Sequence, residues 1–516
     1  MLALPFVPAL AGAADVMTGA TAIGSRRELF VDAALLESLS GGARRELQHP
    51  QPQEIVLHCD EPWEGTGCGY VSVFQDGDTY RLYYKAFAIK VEPGKILSES
   101  HDHRYTCVAE SKDGVHWTKP QLGRHDFRGS TANNIVVVTG PMGAINVDGA
   151  HPAIFRDDNP AAPPAARYKG MFRSDGDPGV VILQSPDGVH WSPFAEKPVI
   201  TAGAFDSQNL VFWDALRGEY RAYWRTFPRG TTVKGNWHPE GPRGISTATS
   251  PDLRHWSEPQ ALVYPTDPRE IELYTNTVAP YARAPHLLLG FPAHYFERPW
   301  GPSLEALPDR AHRATRSTAQ LRYGTAISNT LLMASRDGVS FERWPEAFLR
   351  PGPERTGTWN YGHQYVAWQL VETPSTLAAD GPNELSFYAI ENYWTGHAGG
   401  SSLRRYTLRL DGFVAVTAPL SGGDCVTRPI VFEGNELRLN FATSIAGDIR
   451  VELQDDHGTP LPGFAAADCE PVFGDAIDRP VTWRGQPDLG ALAGRAIKIR
   501  FHLRDADLFA YRFAQR

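Results

Sequence analysis

The sequence predicts an all-β protein, a five-bladed β-propeller followed by a C-terminal antiparallel β-sandwich. Three observations support this prediction. A seven-residue motif occurs four times, turn-forming residues are abundant at 48 Gly and 41 Pro, and the last part of the chain alternates apolar and polar residues. The four copies occupy residues 111–117, 185–191, 250–256 and 335–341. A motif that recurs with insertions between its copies is typical of a fold built from repeated units.

The motif has the chemistry of a tight turn that holds a buried aromatic side chain. The first two copies contain Ser, Asp-Gly and Trp at matched positions, the third has Leu253 in place of Gly, and the fourth ends in Phe341. Asp and Ser side chains hydrogen-bond to their own backbone, and Gly accepts a positive φ. Each copy follows a short β-like run, so we expect the motifs to be structural turns rather than ligand-binding loops.

Each motif closes a unit that contains two earlier strand-like runs. These paired runs are 69–74 with 80–85, 153–155 with 168–173, 208–213 with 220–225, and 275–279 with 286–291. A fifth unit, at 363–369, 384–391 and 403–410, lacks the motif. A propeller blade buries its faces only against its neighbours, so five units predict a five-bladed propeller. An array of β-sandwiches is the alternative.

The C-terminal region is predicted to form a β-sandwich because its apolar residues recur with a period of two. The alternating runs are 436–442, 448–455, 495–504 and 509–513, and they follow a change in composition at 420–424. The predicted organisation is therefore a leader at 1–27, the propeller at 28–418 as the catalytic domain, and the sandwich at 419–516.

Charge and composition argue against several classes of partner. The net charge of the 516 residues is −9, and the chain has no run of Lys or Arg, so nucleic acids and anionic membranes are poor partners. No apolar run approaches the roughly 20 residues of a membrane span. Residues 1–14 are small and apolar, which indicates either an export signal without its basic start or a disordered tail. An export signal would make the protein secreted or periplasmic.

Cysteine usage gives no sign of a metal site. The five cysteines are too few and too scattered for a disulfide scaffold or a zinc site, although their number allows one disulfide bridge. They are Cys59, Cys68, Cys107, Cys425 and Cys469. The chain also has no phosphate-binding loop, no zinc-protease helix motif and no serine nucleophile elbow. We therefore expect no metal and no cofactor.

Three carboxylates occupy one matched position in successive blades. Asp148, Asp206 and Glu272 each lie six or seven residues before the apolar end of a first strand. Inner strands of a propeller begin at the central cavity, so these carboxylates are expected to converge on one axial pocket. A single Asp beside Gly or Ser is commonly a turn residue, and that interpretation stays open for each of them.

A second set of residues is expected to surround the pocket and bind substrate. Long cations there would hold the carboxylates in place and bind substrate oxygens, although they could equally be solvated charges at the blade edges. Aromatic residues at strand ends would stack on sugar rings or simply pack the core. The predicted substrate-binding residues are Arg173, Arg225, Gln208, Tyr274, His294 and Glu391.

These features together resemble a known group of enzymes. The chain resembles the five-bladed propeller glycosidases of families 32, 43 and 68. The resemblance lies in the motif-bearing units, in the acidic residue before successive first strands, and in the sequence segments 205–209 and 220–225. The similarity is greatest to bacterial proteins described as family-32-like, and it covers residues 28–516. The fructosidase signatures Asn-Asp-Pro-Asn-Gly, Arg-Asp-Pro and Glu-Cys are absent. The resemblance implies a carbohydrate substrate and hydrolysis of a glycosidic bond, possibly in a furanoside.

The resemblance also implies a role for each carboxylate. It makes Asp148 the base or nucleophile, Asp206 the stabilising carboxylate and Glu272 the general acid, with a pKa raised by neighbouring carboxylates. Glycoside hydrolysis needs such a set, because its oxocarbenium-like transition state requires a negative neighbour and a proton donor. Glu270, Glu391 and Glu64 are the reserve candidates.

Two other functions remain open at this level. A carbohydrate-binding propeller without catalysis would keep the fold and use the carboxylates only to hydrogen-bond sugar hydroxyls. A metal-supported propeller lyase or lactonase would use Asp148, Asp206 and His294 as metal ligands. The spacing of the carboxylates separates the first from a hydrolase, and an ion within about 2.0–2.6 Å of the ligand oxygens would favour the second.

Overall fold

The protein is nearly all β, with 49% of residues in strands and 5% in helices. The computed structural model describes residues 19–98, 104–233, 235–397 and 399–516. The predicted export signal at residues 1–14 lies outside them. The chain divides into two compact units, one at Leu47–Phe413 and one that joins the residues up to Glu46 to Val414–Arg516.

The larger unit contains five antiparallel sheets that follow one another along the chain. The first comprises Gly69–Asp76, Thr79–Phe87, Arg104–Ser111, Trp117–Thr118 and Ile135–Val138. The second comprises Gly140–Met142, Ile145–Arg156, Tyr168–Ser174, Val180–Ser185 and Ser192–Pro193. The third comprises Leu210–Asp214, Glu219–Thr226, Gly244–Ser250 and Gln260–Ala261.

The fourth and fifth sheets complete this series. The fourth comprises Ala279–Tyr281, Ala284–Gly290, Met333–Ser335 and Glu342–Arg343, and a three-stranded sheet of Glu272–Leu273, Ala293–Glu297 and Ala326–Thr330 is interleaved with it along the chain. The fifth comprises Tyr365–Val366, Val371–Thr373, Glu384–Glu391, Ser401–Arg409 and, from the start of the unit, Gln51–Cys59. The fifth sheet therefore joins the two ends of the unit.

Short elements connect these sheets. Two separate hairpins pair Ile89–Glu92 with Lys95–Ser98 and Arg229–Val233 with Asn236–Glu240. The helices are Pro302–Glu305, Arg310–Ala319 and Leu321–Thr325, with single 3-10 turns at Pro164–Ala166 and Gly490–Leu492.

The repeated motif forms the turn that the sequence predicts. In the first copy, Ser111 Oγ accepts the amide of Gly114 at 2.9 Å, and Asp113 Oδ1 accepts the amides of Val115 and His116 at 2.8 Å each. Trp117 Nε1 donates to the carbonyl of Gly114 at 3.1 Å. The same Ser and Asp contacts recur in the other three copies. The motif is therefore a local structure that its own side chains stabilise.

Each of three motifs also receives a tyrosine from the preceding sheet. Tyr83 of the first sheet donates to Gly188 in the second motif at 3.1 Å. Tyr223 of the third sheet donates to Gly338 in the fourth motif at 2.8 Å, and Tyr388 of the fifth sheet donates to Gly114 in the first motif at 2.6 Å. These contacts link the first sheet to the second, the third to the fourth and the fifth to the first.

The tight contact at Gly188 makes a testable prediction about stability. A Cβ at this glycine, which has a φ of +83°, would lie 2.3 Å from Tyr83 Oη and 2.5 Å from Arg81 Nη1. We expect Gly188→Ala to lower the free energy of unfolding by about 2 kcal/mol or more, because the strained backbone and the clash add. Gly218→Ala is the matched control, since its φ is +68° and no atom lies within 4 Å. Equal losses in thermal or chemical denaturation would show that the contact with Tyr83 contributes nothing.

First strands of several sheets contact one another in the larger unit. The Gly69–Asp76 strand contacts Ile145–Arg156 and both short strands that open the fifth sheet. Trp368 exchanges backbone hydrogen bonds with Val71 and Val73 at 2.8 and 3.0 Å, and its Nε1 donates to the carbonyl of Val278 at 2.9 Å. Phe155 packs against the ring of Trp368 at 6.0 Å. Residues in or next to strands of the first, second, fourth and fifth sheets therefore meet around Trp368.

The second unit is a ten-stranded sheet system that combines both ends of the chain. Its strands are Thr21–Gly24, Glu28–Leu29, Leu36–Gly41, Arg44–Leu47, Val414–Ala418, Gly423–Thr427, Ile430–Phe432, Glu436–Gln454, Asp475–Pro480 and Ala496–Ala514. Its two longest strands, which both carry the predicted alternation, pair with each other antiparallel. Residues 28–41 and 414–418, which the sequence analysis assigned to the propeller, pair here with C-terminal strands. Those partners are hundreds of residues away or lie beyond the predicted boundary, so no local pattern indicated them.

Candidate functional site

Asp148 is a buried carboxylate that four donors hold. It lies in the Ile145–Arg156 strand opposite Arg173, and it is 1% exposed. Oδ1 accepts the amide of Ala150 at 3.0 Å and lies 3.2 Å from Arg104 Nη2. Oδ2 accepts His151 Nδ1 at 2.9 Å and lies 3.5 Å from Arg173 Nη1. Burial alone would raise the pKa of Asp148, but His151 and the two guanidinium groups outweigh it and hold the pKa well below its usual range.

His151 is a site residue that the sequence analysis missed. The strand pairing is irregular between Asp148 and Pro152, which places His151 outside the regular ladder. Burial lowers the pKa of His151 to about 4 although Asp148 opposes this, so the imidazole is neutral at pH 7. Because Nδ1 donates to the ionised Asp148, Nε2 is the basic nitrogen. The ring lies 5.4 Å from that of Tyr70.

Asp206 is paired with an arginine and reaches solvent. Its side chain is 48% exposed, whereas that of Arg225, its partner in the Glu219–Thr226 strand, is 4% exposed. The Asp206 carbonyl accepts the hydroxyl of Tyr70 at 3.4 Å. The Arg225 guanidinium also lies over the ring of Tyr274, 5.1 Å from its centroid. These contacts connect Asp206 to two tyrosines.

Glu272 has a similar arrangement with a second arginine. Its side chain is 33% exposed, and Oε2 accepts both the amide of Arg243 at 2.9 Å and Arg243 Nη1 at 2.8 Å. Oε1 has no partner among the described residues. The Arg243 guanidinium lies 5.3 Å from the ring centroid of Tyr274 and 5.0 Å from that of Tyr295. The charged neighbour in contact with Glu272 is therefore a guanidinium and not the carboxylate that the sequence analysis expected.

A cluster of buried tyrosines lies among these carboxylates. We call it the tyrosine cluster, and its members are Tyr70, Tyr274, Tyr361, Tyr365 and Tyr393. The hydroxyl of Tyr361 donates to that of Tyr274 at 3.2 Å, and neighbouring ring centroids lie 5.3 to 6.0 Å apart. Burial raises the pKa of four members, whereas in Tyr274 the two arginines outweigh burial and lower the pKa.

The tyrosine cluster links the three predicted carboxylates. Asp148 contacts His151, whose ring packs on Tyr70, and Tyr70 donates to the backbone of Asp206. Asp206 and Glu272 are both paired with arginines that lie over Tyr274. A series of side-chain and backbone contacts therefore runs from Asp148 through the tyrosine cluster to Asp206 and Glu272.

Lys85 lies within this cluster and has an unusual environment. Its Nζ donates to Tyr393 Oη at 3.2 Å and lies 4.8 Å from the ring centroid of Tyr70. Burial lowers the pKa of Lys85 to about 7, and the charge of Asp148 opposes this shift. In the unfolded chain the ammonium group of Lys85 keeps its proton up to a pH of about 10.4. Between about pH 7 and 10.4 the unfolded state therefore binds more protons than the folded state, and the stability of the fold rises with pH.

We therefore expect Lys85→Met to be more stable than the parent at pH 7, with a melting temperature a few degrees higher. This advantage should shrink toward pH 10, because the parent then buries a neutral amine. Calorimetry at pH 6.5 and 9.5 measures the effect, and Lys112→Met, an exposed lysine, is the control. A stability difference that does not change with pH would contradict the lowered pKa of Lys85.

The other predicted residues have different positions. Gln208 is buried and donates to the carbonyl of Val71 at 3.1 Å, which joins the third sheet to the first. Glu391 is buried between Arg355 and Arg404, which lower its pKa against the effect of burial. His294 lines a separate cavity of about 590 Å³. None of these three side chains makes a direct contact with Asp148, Asp206 or Glu272 among the described residues.

The reserve carboxylates also lie apart from the cluster. Glu64 is buried against Lys119, whose Nζ lies 2.8 Å from Oε2, and burial raises its pKa. Glu270 is exposed. Neither Glu64 nor Glu270 contacts a member of the tyrosine cluster among the described residues, and Glu64 Oε1 instead accepts the hydroxyl of Tyr84.

Metal and membrane features are absent from the described part of the chain. In residues 19–98, 104–233, 235–397 and 399–516, no group of three or more His, Cys, Asp or Glu is placed to hold a metal ion. The ligand set of Asp148, Asp206 and His294 is thus not assembled. The five cysteines are buried and none forms a disulfide. No helix in these ranges is long and apolar enough to span a membrane.

Comparison with known proteins identifies structural neighbours only. No family model and no curated protein matches the sequence. A thermostable family-43 glycoside hydrolase matches with a TM-score of 0.41 and 12% identity, covering 69% of this chain and 94% of its own. The catalytic domain of the Coprinopsis cinerea family-62 α-L-arabinofuranosidase has a TM-score of 0.39 and 9% identity, covering 70% and 97%. Endo-arabinase from Bacteroides thetaiotaomicron has a TM-score of 0.37 and 10% identity, covering 69% and 98%.

These neighbours are glycoside hydrolases of propeller-type families. No match at the level of the sequence supports the specific resemblance to family 32. TM-scores below 0.5 do not extend the function of a neighbour to this chain.

Proposed function

We propose that the five sheets of the larger unit are the blades of a five-bladed propeller, and that the smaller unit is a β-sandwich. Three tyrosine contacts support the propeller, since they connect consecutive sheets and also the fifth to the first. The meeting of first strands around Trp368 supports a common axis. In this arrangement the starts of the first strands converge at one end, where the tyrosine cluster lies.

We propose that the protein is a glycoside hydrolase whose active site is the mouth of the tyrosine cluster. The observation that carries this proposal is the presence of two solvent-reaching carboxylates, Asp206 and Glu272, whose arginine partners both lie over Tyr274. Hydrolysis of a glycosidic bond requires two carboxyl groups on opposite sides of the sugar. The buried ring of Tyr274 holds both guanidinium groups by cation–π contacts, and the arginines in turn hold the two carboxylates toward solvent.

Asp206 is the proposed base or nucleophile. The guanidinium of Arg225, almost completely buried, stabilises the ionised carboxylate, and Oδ2 has no partner among the described residues. The family resemblance assigned this role to Asp148. Asp206 takes this role in our proposal because Asp148 is buried and four donors already occupy its oxygens.

Asp148 is the proposed positioning residue for His151. By accepting Nδ1–H it fixes the tautomer and orientation of the imidazole, so that Nε2 accepts a hydrogen bond from a sugar hydroxyl. Arg173, whose side chain is 40% exposed beside Asp148, is placed to bind a second sugar oxygen.

Glu272 is the proposed general acid. Arg243 occupies Oε2, and Oε1 is free to carry the proton that the leaving oxygen needs. The proton then moves from Oε1 to the glycosidic oxygen as the bond to the anomeric carbon breaks, while Asp206 or a water that it deprotonates attacks that carbon.

The experiment that tests this function is a screen of aryl furanosides and pyranosides, with the anomer of the first product read by NMR. We expect at least one glycoside to be hydrolysed. Retention of configuration would make Asp206 a nucleophile, and inversion would make it a base. If the protein binds sugars but hydrolyses none, the alternative of a non-catalytic carbohydrate-binding propeller is correct, since it needs the same hydroxyl contacts without proton transfer.

A further inference from the structure

A groove of about 930 Å³ adjoins the proposed active site. Its lining includes Arg173 and Asp206, so the groove is continuous with the site. The remaining lining residues come from the second sheet, from the chain that leads to Asp206, and from the Arg229–Val233 and Asn236–Glu240 hairpin, which we call the Trp237 hairpin. Ligand pockets generally measure about 300 to 1,000 Å³, so this groove has room for more than one sugar ring.

Trp237 is the largest apolar side chain in this lining. It is 43% exposed, it pairs with Thr232 across the hairpin, and it makes no ring contact with another aromatic side chain among the described residues. The Trp237 hairpin forms a two-stranded sheet of its own. Isolated hairpins gain little stability in water, and aromatic side chains are common in the lining of ligand pockets. We therefore regard the indole as a ligand contact and not as a packing element.

The rest of the lining suits neutral, hydroxyl-rich ligands. Among the described lining residues the charged groups are one cation, Arg173, and two carboxylates, Asp175 and Asp206. This balance disfavours a polyanionic chain. The uncharged polar residues and the glycines, which leave backbone groups accessible, can exchange hydrogen bonds with sugar hydroxyls. They include Ser174, Thr201, Thr231 and Thr232, together with five glycines.

We propose that this groove binds a neutral oligosaccharide that extends from the bond cleaved at Asp206, with Trp237 stacked on one of its sugar rings. The inference rests on the proposed function for the position of the cleaved bond. It adds that the natural substrate is a chain of several sugars and not a single sugar on a small leaving group. Sugar rings have an apolar face, which an indole covers well, and this contact is insensitive to the pattern of hydroxyls.

The test measures binding as a function of chain length. Calorimetric titrations would use neutral oligosaccharides of two to six residues from arabinan, xylan and mannan, with galacturonan fragments as the acidic arm. In one neutral series the affinity should rise with each residue up to at least three. Trp237→Ala and Thr201→Trp, which fills the groove, should each lower the affinity for the trisaccharide about tenfold or more. Both should leave the affinity for the monosaccharide within about twofold.

Trp300→Ala is the matched control, because Trp300 is also an exposed tryptophan but lies outside the groove lining. It should change no affinity. The proposal would be overturned by any of three results. The affinity could be independent of chain length in every series, it could be unchanged in both groove variants, or it could rise with length only for galacturonan fragments. Length-dependent binding without hydrolysis would refute the hydrolase function and leave the groove assignment standing. Hydrolysis of aryl glycosides without length-dependent binding would support the hydrolase function and refute the groove assignment.

Discussion

Asp206→Asn is expected to stop hydrolysis of every glycoside that the parent cleaves, with a loss of kcat of at least about 10³-fold. The amide neither attacks the anomeric carbon nor takes a proton from water, so the loss should be the same for good and poor leaving groups. The measurement is the initial rate on an aryl glycoside and on a natural glycoside of the same sugar.

Two further measurements separate chemistry from structural damage at Asp206. The substitution leaves the buried guanidinium of Arg225 without its counter-charge, so the melting temperature should be recorded alongside the rate. Asp206→Gly in the presence of azide should recover turnover of the aryl glycoside if the enzyme retains configuration, because the anion occupies the vacated space. Asp158→Asn, an exposed carboxylate two residues past the end of the strand that carries Asp148, is the control. Parent-like rates in Asp206→Asn would remove Asp206 from the mechanism.

Glu272→Gln should lower turnover of natural glycosides by about 10²- to 10⁴-fold and leave sugar binding almost unchanged. Gln keeps the size of the side chain and can still accept the Arg243 hydrogen bonds, but it has no proton to deliver. Dinitrophenyl glycosides should keep much of their rate, because their leaving oxygen tolerates negative charge. The measurement is the ratio of kcat between the two substrate types.

Glu270→Gln provides the matched control for Glu272, since Glu270 is exposed and two residues away. It should behave as the parent does. A loss in Glu270→Gln that exceeds the loss in Glu272→Gln would transfer the acid role to Glu270. Turnover of the natural glycoside within a few-fold of the parent in Glu272→Gln would leave Glu391 and Glu270 as the residues to examine.

The proposed site combines carboxylates with arginines in a way that explains their different exposure. Arg225 and Arg243 are largely buried and approach Tyr274, whereas Asp206 and Glu272 turn toward solvent. A buried guanidinium is costly unless it is paired, so each carboxylate stabilises the arginine beneath it. The same pairing holds the carboxylate in one position, which a catalytic group requires.

The sequence by itself determined the parts of this protein that depend on neighbours in the chain. The repeated motif was predictable because Ser111 and Asp113 bond to amides only two or three residues away. The strand-rich composition and the alternation in the C-terminal region reflect the same short-range rules. The matched positions of Asp148, Asp206 and Glu272 were also visible, because equivalent positions in repeated units recur in the sequence.

Tertiary structure alone decided which groups these carboxylates meet. Asp148 is bound by Arg104, which comes from a different sheet, and His151 turns toward it only where the strand pairing is irregular. Glu272 meets Arg243 and not a carboxylate because the chain brings the third sheet beside the Glu272–Leu273 strand. The first strands of the chain pair with its last ones for the same reason. Such contacts depend on how distant segments pack, and burial and charge pairing then set the state of each group, which no local pattern of residues encodes.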